Sequence, residues 1–252
     1  MYNLLRCEFF KLRKSRMFIL LIGLVVAYSI VIGIMTYSSI QYGSGSDLQG
    51  IDVYFEQLSN YLLVAVIGSL IATVFICKDF ENKTIQDSIA CGCSRSAIIL
   101  SKSLVYFLAV AVVTVIPPIV CSTLISIAYG FGMPFDTVST LKLTAITLTT
   151  ALAYASCLSP CVLFSFLGRK PVITLAGGIF VLFLGVSFLK DVAQVEPAVA
   201  SLISFTPYGA ADALLSLDAV TGEFLKAVTV SIIFMILILV ATIWVFRKSE
   251  VR

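Results

Sequence analysis

Histidine is absent from the 252 residues of this sequence, and charged residues make up only 12% of it. The absence of histidine excludes His-based acid–base catalysis, His-ligated zinc and His-dependent nucleophiles. A phosphate-binding glycine loop of the G-x-x-x-x-G-K-S/T kind is also absent, so the chain does not hydrolyse nucleotide by that route. We therefore expect a chain that is not an enzyme by itself and that binds no metal or other cofactor directly.

Hydrophobic residues, by contrast, make up 60% of the sequence. A soluble domain would be near half apolar and about a quarter charged. The bilayer must therefore be the main solvent of this chain. Residues 1–252 are predicted to form a single transmembrane domain with short loops.

Six apolar segments are long enough to cross a hydrocarbon core about 30 Å thick, which needs about 20 helical residues. These predicted spans cover residues 17–37, 61–77, 104–128, 143–168, 171–189 and 227–246. None of them contains Asp, Glu, Lys or Arg. Ion-coupled carriers usually need such residues at membrane depth, so an ion-coupled carrier is disfavoured. The fold predicted is an all-α polytopic membrane protein with six transmembrane helices.

Positive charge is distributed unevenly over the predicted loops, with 14 of the 17 lysines and arginines on one side. The positive-inside rule places that side in the cytoplasm, so both termini of this plasma-membrane protein are predicted to be cytoplasmic. We also expect the protein to be bacterial. No predicted outer loop contains cysteine, which favours reduced thiols over disulfides. The pairs Cys91–Cys93 and Cys157–Cys161 could hold a soft metal, but a plain loop and small buried side chains are favoured.

Two cytoplasmic segments carry further information. Residues 1–16 place leucine and phenylalanine at helical spacing among basic residues, which favours an amphipathic interface helix over a simple positive anchor. The longest cytoplasmic loop, 78–102, mixes charged and apolar residues. Gly92 suits a helix C-terminus and Ser94 the start of the next helix, so a helix–turn–helix with enough polar surface to dock a soluble partner is predicted.

The outer loop 190–226 is too apolar for a free linker. We expect helices over Pro197–Phe205 and Ala210–Leu217, separated by a turn at Thr206–Gly209. Such helices could be re-entrant or lie in the outer leaflet, packed on the bundle before the last span.

A polar stripe runs along the fourth predicted span at spacings of three and four residues. It comprises Thr147, Thr150, Tyr154, Cys157, Cys161 and Ser165. The first three residues in particular could line a substrate path. The alternative, which is commoner in helix bundles, is that these residues make interhelical hydrogen bonds.

Three motifs carry a resemblance to a known family. They are Glu8-Phe9-Phe10-Lys11-Leu12-Arg13-Lys14, then Asp79-Phe80-Glu81-Asn82-Lys83-Thr84-Ile85 with Gly92-Cys93-Ser94-Arg95 and Ser101-Lys102, and Phe205-Thr206-Pro207-Tyr208. With the span layout, they resemble the ABC-2 type permease subunits of ABC exporters, which have the type V exporter fold. The subgroup most similar is that of the small six-span permeases of bacitracin and lantibiotic export and immunity.

The resemblance implies partners and roles. Two permeases, identical or different, would form a dimer above two separate ATPase subunits, which would bind the ATP and magnesium. A peptide or lipid-like substrate, such as an antimicrobial peptide, would be moved out, and no nucleic acid would be involved. The residues implied for ATPase docking and coupling are Asp79, Phe80, Glu81, Asn82, Lys83, Thr84, Ile85 and Arg95. The interface helix would use Glu8, Phe9, Lys11 and Arg13, and the outer re-entrant turn would use Pro207 and Tyr208.

Three alternatives stay open on the sequence. The charged loop residues could simply form a solvated face. The chain could be a structural or assembly membrane protein without transport, which would have a similar composition. A membrane-embedded enzyme is less favoured, because only thiols and hydroxyls are present at membrane depth.

Overall fold

The computed structural model describes residues 2–43, 48–133, 136–180, 192, 201–215 and 220–248, which form helices and connections without any strand. The first half contains α1 (Tyr2–Lys14), α2 (Arg16–Gln41), α3 (Gly50–Leu58), α4 (Tyr61–Ala72), a π-helical turn (Thr73–Cys77), α5 (Lys78–Glu81) and α6 (Thr84–Ala90). The second contains α7 (Arg95–Tyr129), α8 (Thr137–Cys157), α9 (Ser159–Gly168), α10 (Pro171–Ile179), α11 (Pro207–Asp212) and α12 (Thr221–Lys248). The all-α fold class is confirmed.

Five helical segments of the described chain are long and apolar enough to cross a membrane. They are Arg16–Gln41, Tyr61–Glu81, Arg95–Tyr129, Thr137–Gly168 and Thr221–Lys248. Each contains one of the predicted spans or most of it. The remaining predicted span, 171–189, begins with α10, and its second half lies outside the described residues.

Two of the membrane-crossing segments change backbone geometry along their length. The second continues from α4 through the π-helical turn directly into α5, so no loop separates the membrane-spanning part from the charged segment. The fourth is broken at Leu158, with Pro160 in the first turn of α9, because proline cannot donate a helical hydrogen bond. Near this break, the Tyr106 hydroxyl lies 3.2 Å from the Gly68 carbonyl oxygen and 3.5 Å from the Leu158 carbonyl oxygen. Its hydrogen is shared between these two acceptors.

Helix α3 lies between the first two membrane-crossing segments. Its residue Val53 packs with Cys121 and Ile125 of α7. Gly50 permits the close approach, because a Cβ at this position would lie 2.1 Å from the Ser126 hydroxyl oxygen. The α3 helix is therefore part of the packed bundle.

The predicted outer turn at Thr206–Gly209 is wrong in detail. Pro207 and Tyr208 form the first turn of α11, and the Thr206 hydroxyl accepts a hydrogen bond from the Gly209 amide. Proline suits a first helical turn, where no backbone donor is needed, and threonine suits the position before it. The ring of Tyr208 is buried edge-on against Tyr61 at 5.2 Å, so α11 packs on the bundle. Residues 197–200 and 216–217 of the predicted flanking helices lie outside the described residues.

Candidate functional site

Four charged side chains meet where α1, α5 and α7 come together. The Lys102 ammonium of α7 lies 2.9 Å from a Glu8 carboxylate oxygen of α1, and it also contacts the Asp79 carboxylate of α5. Lys11 of α1 lies 3.4 Å from Glu8 and 3.5 Å from Asp79. Lys102 is only 1% exposed and Glu8 only 3%. These four residues, here called the charge cluster, have no net charge.

The charge cluster can be buried because each of its charges has an opposite partner. An unpaired charge in this position would cost several kcal/mol. The Lys102 ammonium also lies 5.1 Å from the centre of the Phe75 ring in the π-helical turn. Burial alone would lower the pKa of Lys11, but the carboxylates of Glu8 and Asp79 outweigh that effect and raise it. Lys11 therefore stays charged at neutral pH.

Three phenylalanine rings form a second contact beside the charge cluster. Phe80 of α5 lies edge-on to Phe166 of α9 at 5.4 Å and to Phe246 of α12 at 6.2 Å. Phe166 and Phe246 are themselves 5.2 Å apart. We call these three residues the aromatic cluster. Successive residues of the short helix α5 therefore contact different neighbours, Asp79 contacting α1 and α7, and Phe80 contacting α9 and α12.

The turn between α5 and α6 presents polar side chains away from these clusters. Glu81, Asn82 and Lys83 are all exposed, and we call them the tip. Lys83 has a φ of 59°, a left-handed conformation that is uncommon for a residue with a side chain. The Thr84 hydroxyl donates to the Asp79 carbonyl oxygen at 3.2 Å, which ties the two sides of the turn together. The tip is therefore a defined turn rather than a free loop.

The joint between α6 and α7 has the two caps that the sequence predicted. Gly92 has a φ of 87°, and the amides of Gly92 and Cys93 donate to the carbonyls of Ile89 and Ser88. This is the Schellman pattern of a helix C-terminus. The Ser94 hydroxyl accepts from the Ala97 amide and caps α7.

Arg95 occupies a position that the docking prediction did not anticipate. Its guanidinium donates to the backbone carbonyls of Phe246 and Arg247 at 3.2 and 3.4 Å, and it lies 5.7 Å from the Phe246 ring. A cation at this position interacts favourably with the carbonyl end of α12. Arg95 therefore joins α7 to α12.

The predicted docking residues thus fall into two groups. Those of the tip point outward, whereas Ile85 is buried and Asp79, Phe80 and Arg95 contact other helices. The predicted interface residues divide in the same way. Glu8 and Lys11 belong to the charge cluster, whereas Phe9 and Arg13 are exposed.

The residues predicted to line a substrate path are buried inside this chain. Thr147 lies 2.6 Å from the Tyr54 hydroxyl oxygen, and the Tyr154 hydroxyl donates to the Leu58 carbonyl at 3.1 Å. Both partners belong to α3. Thr150 is fully buried. Thr147 and Tyr154 thus make the interhelical hydrogen bonds of the alternative interpretation, and a substrate path stays a prediction.

Sequence reasoning missed the central role of Lys102 and the two rings that contact Phe80. Lys102 was treated as the end of a loop, although apolar residues lie three and four positions before it and three after it. This spacing places a lysine on the apolar face of a helix, which is the signal that it needs a buried partner. Phe166 and Phe246 had no comparable signal, because each lies near the end of an apolar span.

Comparison with known proteins identifies the family. A family model described as "ABC-2 family transporter protein" matches residues 4–187, which include the charge cluster, the tip and all of α10. No curated protein matches the chain. Permeases of this family are the membrane components of ABC transporters, and their ATPases are on separate chains. The resemblance is therefore confirmed at the level of the family, the bacitracin and lantibiotic subgroup stays a prediction, and the chain belongs to the ABC-2 transporter family.

Proposed function

We propose that this chain is the permease subunit of an ATP-driven exporter, and that separate ATPase subunits dock on its tip. Membership of the ABC-2 family supports a permease that works with ABC ATPases. The observation that carries the docking site is the arrangement around α5: the tip is exposed, whereas Asp79 and Phe80 contact four other helices. A soluble partner on the tip would thus act on the bundle through short, packed connections.

The two clusters supply those connections. Movement of α5 would carry Asp79 with it, and separating Asp79 from Lys102 would leave the buried ammonium with only one of its two carboxylate partners. The energetic cost of that separation favours α1, α5 and α7 moving as one body. Through the aromatic cluster, the same movement would push on α9 and α12. ATP and magnesium would act only on the partner subunits.

The remaining features of the proposal follow from the sequence and the family. Two permeases, identical or different, would form the membrane unit, with both termini in the cytoplasm of a bacterium. A peptide or lipid-like substrate, such as a bacitracin- or lantibiotic-type peptide, would leave the membrane or the cell. The buried Thr147, Thr150 and Tyr154 could face such a substrate only if neighbouring helices moved away from α8, and for Thr147 and Tyr154 these include α3.

The test of docking uses the full chain co-expressed with the ABC ATPase encoded beside it. The complex is purified through a tag on the permease, and the ATPase activity of the co-eluting protein is measured. The variants are Glu81→Arg and Lys83→Glu in the tip, with Lys170→Glu as the matched control because Lys170 is an exposed lysine outside the tip. We expect both tip variants to lose most of the co-eluting ATPase and the control to keep it. Arg95→Glu is unsuitable, because it would also remove the cap of α12.

The outcomes separate the proposals. Equal losses in the tip variants and in Lys170→Glu would contradict docking at the tip. A stable association with a partner that has no ATPase activity would instead support a structural or assembly role.

A further inference from the structure

An apolar groove with one arginine at its rim lies on the surface of the helix bundle, between α1, α2 and α7. Its volume is about 290 Å³, and its lining includes Phe9, Arg13, Phe18, Ile19, Leu108 and Val112. All but Arg13 are apolar. The groove lies outside the charge cluster and the tip, so it plays no part in the docking proposal.

The groove is bounded by the membrane-spanning helices α2 and α7 on one side and by α1 on the other. Ile19 belongs to the first turn of α2, and Leu108 and Val112 lie one turn apart on α7, so these walls run along the bilayer direction. Ile19, Leu108 and Val112 are exposed, at 59%, 50% and 40%. An acyl chain lying along the bundle would cover these side chains.

The rim of the groove has the charge that an anionic headgroup needs. Phe9 and Arg13 are four residues apart on α1, so the aromatic ring and the guanidinium share one helix face. In the described part of the chain, Arg13 makes no ion pair. The one acidic residue of α1, Glu8, is already paired with Lys102 and Lys11. Positive charge at the rim is therefore uncompensated.

We propose that this groove binds an anionic phospholipid of the cytoplasmic leaflet, with its headgroup at Arg13 and an acyl chain against α2 and α7. The groove itself is apolar, which suits a hydrocarbon chain, and the rim is cationic, which suits a headgroup with net negative charge. A lipid in this position would bridge α1, α2 and α7 and thereby hold the interface helix against the bundle.

The test titrates the purified full chain with phosphatidylglycerol or with phosphatidylcholine of the same acyl chains, and measures the first bound lipid by native mass spectrometry. Arg13→Gln is compared with Lys14→Gln, which removes one exposed charge from the next position but about 100° around the helix. We expect Arg13→Gln to weaken phosphatidylglycerol binding about fivefold relative to Lys14→Gln. Binding of phosphatidylcholine should be nearly unchanged by either substitution, which also shows that the variants are folded.

The acyl-chain half of the proposal needs a second pair of variants. Val112→Trp fills the groove, whereas Ile119→Trp adds the same ring to an exposed position two turns farther along α7. We expect Val112→Trp alone to weaken the binding of both lipids.

Three results would each overturn the proposal. Equal effects of Arg13→Gln and Lys14→Gln would mean general surface electrostatics. Displacement of phosphatidylglycerol by an equal concentration of glycerol phosphate would mean an anion site without a chain site. Loss of a dimer in Val112→Trp with unchanged lipid binding would mean that a second copy of the chain covers the groove.

Discussion

Lys102 is the residue that joins α1, α5 and α7 through charge. It is a single buried ammonium shared by carboxylates from α1 and α5. Lys11, the other cation near these carboxylates, is 37% exposed and lies farther from both, at 3.4 and 3.5 Å. Removing Lys102 would therefore leave one buried carboxylate and one partly buried carboxylate, which Lys11 compensates only in part.

Replacing Lys102 with methionine should destabilise the protein by about 3–5 kcal/mol, because uncompensated buried carboxylates remain. The measurement is the free energy of unfolding in detergent, with Lys142→Met as the control because Lys142 is an exposed lysine of α8. The double variant Lys102→Met with Asp79→Asn should recover part of the loss. Equal stability of the Lys102 and Lys142 variants would show that the charge cluster does not stabilise the fold.

The joint between α6 and α7 shows how the start of a helix determines where the residues of the candidate site lie. Helix α7 begins at Arg95 instead of at the start of the predicted span, residue 104, so it extends without interruption from the joint into the membrane-spanning region. Its first residue binds the end of α12, and Lys102 lies two turns farther along. The angle at which α6 meets α7 therefore depends on the Schellman turn at Gly92.

Substitution Gly92→Ala should destabilise this joint by about 1–2 kcal/mol, because a left-handed conformation is unfavourable for a residue with a Cβ. No atom lies within 4 Å of the new methyl group, so the effect is conformational and not steric. The control is Gly23→Ala in the middle of α2, where space is also open and the backbone is helical. That substitution should be neutral or slightly stabilising. Thermal unfolding of the two variants beside the parent measures the difference, and equal effects would contradict this account of the joint.

At the scale of the whole molecule, the predicted orientation has a direct chemical readout. Among the seven cysteines, Cys7 of α1 and Cys91 of the α6–α7 joint are exposed, and both lie on the side predicted to be cytoplasmic. Cys77, Cys121, Cys157 and Cys161 are buried and should be protected from a polar reagent. The native thiols can therefore report which side of the membrane the charge cluster occupies.

A membrane-impermeant maleimide should label the chain in inside-out vesicles and leave it unlabelled in intact cells. The double substitution Cys7→Ser and Cys91→Ser should remove most of the labelling, and the remainder should belong to the half-buried Cys93. Mass spectrometry of the labelled peptides measures both results. Labelling of Cys7 or Cys91 in intact cells would show that the orientation is wrong.

The sequence predicted those features that depend on neighbouring residues or on composition. Apolar runs of sufficient length indicated the membrane-spanning helices, because the bilayer leaves the backbone no other way to satisfy its hydrogen bonds than within a helix or barrel. Gly92 and Ser94 indicated the α6–α7 joint, because helix caps are formed within a few residues. The motifs around Glu8 and Asp79 indicated the ABC-2 family, which the family match confirmed.

Only the tertiary structure decided which side chains of each segment contact other helices and which are exposed. The sequence assigned Asp79, Phe80 and Arg95 to one docking surface, but the fold turns them toward Lys102, the aromatic cluster and the end of α12. Their partners are 23 to 166 positions away along the chain, as with Lys102 for Asp79 and Phe246 for Phe80. No local pattern contains such pairings, because they arise from the packing of helices that are distant in sequence.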